Sequence, residues 1–128
     1  MTSQGSAYMR FKRALERGNA TIAWAAAAEL PRVSLEDAVA LCLLQLTGES
    51  WRFDRAAVRL QARLCREVKG LGLAEAQLVG AALAALAGPG QQAAALALAE
   101  LLELHGEPGA ATVFESWADG IASRGVGR

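Results

Sequence analysis

Glycine and proline cut this chain at Gly18, Pro31, Gly48, Gly70, Gly88-Pro89-Gly90, Gly106 and Pro108-Gly109. Most lengths between cuts suit one modest helix. Alanine and leucine fill those lengths, and both are strong helix formers. β-branched residues are scarce and no run alternates with period two, so strands have no support. The reading is all-α, with six or seven short helices paired as antiparallel hairpins.

The stops and caps set the expected bounds. A first helix runs from Ala7 to Arg17 and ends on Gly18-Asn19. A second runs from Ala20 to Leu30, stopped by Pro31. Ser34 caps a third, which ends at Leu46, and Asp37 stands at the acidic position of a capping box. Ser50 caps a fourth, Trp51 to Lys69, closed by Gly70. Gly72 opens a fifth, with Glu75 in its first turn, and it stops before Gly88. A sixth spans Gln91 to Leu104 and a seventh Ala110 to Ala122. Residues 1–6 read as a disordered lead, 7–122 as one helical domain and 123–128 as a flexible tail.

Two helix junctions resemble each other. The segment from Glu29 to Ala38 aligns with that from Glu67 to Ala76, an offset of 38 residues. Glutamate, two apolar positions, a small capping residue, leucine, an acid and alanine all recur in register. A degenerate third copy begins at Glu103. A helix-hairpin repeat of that length marks an α-solenoid. A compact helical bundle would give the same helix count, so both architectures stand at this point.

Charge divides the 128 residues unevenly. Formal net charge is zero, yet Arg10 to Lys69 holds 11 basic against 7 acidic residues and Gly70 to Arg128 holds 2 against 6. The first part is thus about +4 and the second about −4, a dipolar arrangement that favours head-to-tail stacking or a basic face for a partner. On the fourth helix Arg52, Arg55, Arg59, Arg63 and Arg66 recur at intervals of 3, 4, 4 and 3. They fall within an arc of about 80°. Phe53, Ala57, Leu60, Leu64 and Val68 occupy a separate, core-facing arc. The first helix adds Arg10 and Arg13, beside Tyr8, Met9, Phe11 and Leu15 at core spacing. Arginine's planar fork pairs with carboxylate or phosphate, so these seven arginines are the expected partner-binding residues.

Catalysis has little footing. His105 is the sole histidine and reads as a cation at the C-terminus of the sixth helix. Glu100 and Glu103 share a helix face and His105 is rotated away from them, so no metal site is expected. Phosphate-binding glycine motifs are missing from the sequence, and no cofactor is expected. Cys42 and Cys65 read as reduced core thiols. Trp24 reads as a core anchor, whereas Trp51 and Trp117 fit core or interface equally. The uncharged stretch Ala76 to Ala99 is broken by Gly88-Pro89-Gly90, so two buried helices are expected rather than a membrane span. These readings lead to a non-enzymatic, cytoplasmic protein-interaction or adaptor module that pairs with an unidentified protein or with itself. The alternative is a nucleic-acid-associated protein gripping phosphates with the arginine ridge.

Overall fold

A computed structural model describes residues 3–126. Among these residues there are seven α-helices and no strand: α1 (Ser3–Arg17), α2 (Ala20–Ala28), α3 (Leu35–Leu44), α4 (Ser50–Glu67), α5 (Leu73–Ala85), α6 (Gln91–Leu104) and α7 (Pro108–Val126). A single 3-10 turn, Gln45–Thr47, follows α3. The all-α expectation holds. By contacts the chain forms two compact units, Met1–Ala56 and Ala57–Arg128.

The helix ends follow local chemistry. Gly18, Gly70 and Gly106 take φ of 71°, 82° and 81°, a left-handed conformation that costs glycine least. After α6, the Glu107 N–H reaches back to the Leu102 carbonyl at 2.8 Å, closing the six-residue wrap of a Schellman cap. Asn19 caps α2, its side chain accepting the Ile22 N–H at 3.0 Å. The two junctions that align in sequence are capped by opposite halves of one motif. Ser34 Oγ accepts the Asp37 N–H at 3.1 Å. At the second junction the capping residue is Gly72, which has no side chain, so Glu75 Oε1 instead accepts the Gly72 N–H at 3.1 Å.

Several bounds differ from expectation. Helix α1 is already formed at Ser3, inside the expected lead, whose Met1 and Thr2 lie outside the described residues. Helix α2 stops two residues early, because a residue before proline avoids the helical region. Ser50 does not cap α4: the Glu49 carbonyl accepts the Phe53 N–H at 3.3 Å, which puts Glu49 in the cap position and Ser50 in the first turn. Helix α7 begins at Pro108, whose missing N–H is one that a first helical residue leaves unpaired anyway. It continues to Val126 through most of the expected tail, of which Gly127 and Arg128 lie outside the described residues.

In the first unit α1, α2 and α3 pack on one another. Phe11, Ala14, Ala23 and Ala26 form the buried centre, flanked by Leu15, Leu30, Val33, Leu41 and Leu44. Tyr8 and Met9 are exposed rather than part of the core stripe, because Ala7, Phe11 and Ala14 fill the inward arc. Gln45 is fully buried and donates to the Ala20 carbonyl at 3.0 Å. In the second unit α5 packs on α6 and α6 along α7. Phe114 is fully buried there, as are the small residues Ala95, Ala111 and Ala118. Cys42 is buried, which pushes its thiol up to about 12, whereas Cys65 is exposed and not a core residue. Its position explains this: Leu60, Leu64 and Val68 take the inward arc of α4, and Cys65 lies about 100° round from Leu64.

Candidate functional site

Helix α4 is strongly amphipathic, so its backbone fixes the direction of each arginine. Phe53, Leu60, Leu64 and Val68 are buried as the spacing requires, with Ala56 rather than Ala57 completing the row. The five arginines do not form one free ridge. The Arg52 side chain is only 13% exposed. It donates to Thr21 Oγ1 at 3.0 Å, pairs with Glu49 at 3.6 Å and lies 5.6 Å from the Trp51 ring centroid. Arg63 is folded onto Glu67, with Nε 2.8 Å from Oε2 and a second bond at 3.2 Å. Arg55, Arg59 and Arg66 are exposed on the helix surface. On α1, Arg10 pairs with Glu29 at 2.9 Å, and Arg13 is exposed.

Trp24 is no isolated core anchor. It meets Trp51 edge-on, centroids 6.1 Å apart at 82°, a favoured aromatic geometry. Trp51 itself is half exposed.

His105 holds a polar junction within the second unit. It caps α6 and part-buries its ring. Its Nδ1 lies 3.1 Å from the Lys69 carbonyl and its Nε2 lies 2.7 Å from Glu75 Oε2. Both neighbours are acceptors, so only the doubly protonated ring satisfies both. The hydrogen bond to Glu75 therefore raises the His105 pKa above 6.5, against some desolvation, with the Lys69 carbonyl adding a smaller push. The same bond, then the Gly72 N–H, lowers the Glu75 pKa below 4.5. The sign follows from linkage. The raised imidazole stabilises the fold below pH 6.5, and this is lost as pH rises through its folded value. The lowered carboxylate stabilises above pH 4.5, and this is lost as pH falls through its folded value. His105→Ala should lower the melting temperature most between pH 4.5 and 6.5 and progressively less as pH rises through the folded value of the imidazole. A deficit that stays constant with pH would show that the ring acts by packing alone.

The surface that sequence reasoning missed lies between α6 and α7. Leucines 98 and 102 of α6 face inward, which turns Leu96, Glu100, Glu103 and Leu104 outward on one arc. Helix α7 brings Glu115 and Asp119 alongside. Together with Ala99 these residues line an open groove of about 820 Å³. Its apolar part carries two exposed leucines, Leu96 at 43% and Leu104 at 77%. Its polar part is four carboxylates and no cation. Such a surface can bury an aliphatic side chain while carboxylates take up guanidinium or ammonium groups. The signal was present in the spacing of 96, 100, 103 and 104. The contribution of Glu115 and Asp119 depends on how α7 lies on α6, and no spacing within one helix reports that.

Among the described residues no group of three or more His, Cys, Asp or Glu is placed to hold a metal ion, and no helix is long and apolar enough to cross a membrane. No protein family matches the chain, and neither a curated protein nor a solved structure is significantly similar to it.

Proposed function

We propose that this chain is a non-enzymatic protein-interaction module that seats a cationic, amphipathic helix of a partner protein in the α6–α7 groove. One observation carries this: exposed leucines are set among four carboxylates on a surface shaped by two packed helices. Exposed leucine next to a like-charged rim is a poor solvent surface and a good match for leucine and arginine presented at helical spacing. A buried, unreactive Cys42 is compatible with a reducing, cytoplasmic setting.

The test is anisotropy of a labelled helical peptide carrying leucine and arginine at three- and four-residue spacing. Binding is expected at roughly 10 µM, weakening about tenfold in E100K/E115K. The same peptide with glutamate in place of arginine should not bind. If the arginine peptide shows no saturable binding up to about 500 µM, the groove is not a docking surface.

Arg13, Arg55, Arg59 and Arg66 are exposed, and this favours a second reading in which the chain contacts a nucleic-acid backbone. Duplex DNA in the same titration decides between them, since DNA binding without peptide binding would reverse the order.

A further inference from the structure

We infer that the helix received by the groove is α4 of a second copy of this chain, so that copies join head to tail. The inference rests on the groove reading proposed above and adds the identity of the occupant. Within the second unit, α4 turns Val58, Arg59, Ala62 and Arg66 away from its buried Leu60 and Leu64. Val58 is 66% exposed and shares this face with the two arginines. This face has the chemistry that the groove demands: an aliphatic residue flanked by guanidinium groups and backed by a small residue that permits close approach.

The dimensions also agree. Val58 to Arg66 and Leu96 to Leu104 are each nine residues, eight helical rises or about 12 Å. Arg59 and Arg66 then come within reach of the carboxylates of the groove, forming pairs that are bidentate where the guanidinium lies in plane. The two surfaces are different patches on one chain, so the contact is heterologous. Each copy bound by its groove still offers α4, and assembly continues into a ring or an open chain.

The experiment is sedimentation velocity on the full chain from about 10 to about 500 µM, in low and high salt. The wild type should grow with concentration, and about 500 mM salt should shift that growth to concentrations about tenfold higher. R59E/R66E removes the α4 face and E100R/E115R removes the groove. Each alone should sediment as a monomer with wild-type circular dichroism. Mixed, they should associate again, because the groove left intact in one receives the α4 left intact in the other, and the two reversed faces carry opposite charges. R59E/R66E should also bind the arginine peptide as the wild type does, since its groove is intact. All four positions are exposed, and should a double variant misfold, R66E with E115R carries the same cross-test.

A wild type that stays monomeric throughout, or a crossed mixture that stays monomeric while the wild type associates, overturns the inference. If the peptide still binds in that case, the groove reading stands and only its occupant is wrong. If the peptide fails as well, both fall.

Discussion

Phe114→Ala should destabilise the second unit by about 3–5 kcal/mol, the cost of deleting a fully buried aromatic ring from a packed core. Phe114 is 0% exposed, and the other buried residues of α6 and α7 are alanines and leucines. Alanine side chains cannot swing into the space that the ring leaves, so most of the cavity persists and the cost sits at the upper end. A chain of this size has about 6–19 kcal/mol of total stability, so a single substitution removes a large fraction of it. Chemical denaturation followed by circular dichroism reads the effect. A midpoint within error of the wild type would mean that the ring is not packed as described.

Ala95→Leu tests the same core from the other direction. Ala95 is 0% exposed on α6, where Ala94 and Ala99 are also buried small residues. Small residues there let α6 lie close to its neighbours, so three added carbons have to displace a helix or adopt a strained rotamer. A loss of about 1–3 kcal/mol is expected even though leucine is the more hydrophobic residue. Leu96→Ala, one residue along, is the control: Leu96 is 43% exposed and its truncation should change stability little. If Ala95→Leu proved stabilising, the hairpin would have to contain an unfilled void at that point.

What the sequence made legible was chiefly local. Helix type followed from alanine, leucine and the stops. Gly18, Gly70 and Gly106 marked three helix ends because a left-handed residue there is cheapest as glycine. The inward row of α4 was readable because 3.6-residue periodicity depends on the helix alone. The errors came where a distant residue competes for a side chain. Arg52 has the spacing of an exposed ridge, yet Thr21, 31 positions away, accepts its hydrogen bond. The pairing of Trp24 with Trp51 is invisible to helix spacing because their contact spans 27 positions. His105 was rightly placed at the end of α6, but its partners Lys69 and Glu75 belong to a junction 30 to 36 residues earlier. The groove failed for the same reason. Spacing puts Glu100 and Glu103 on one face of α6, and only the packing of α7 sets Glu115 and Asp119 beside them to make a groove.

The helix pairings have a consequence for how the chain reaches its structure. In the first unit α1 meets α2 and α3, and in the second α5 meets α6 and α6 meets α7. Most of these pairs are adjacent along the backbone. The loops to be closed are a few residues long, so little entropy is spent before the first apolar contact repays it, and each hairpin can form on its own local signal. Such a topology has low contact order, and its folding speed is governed by helix formation and pairing rather than by a search for distant partners.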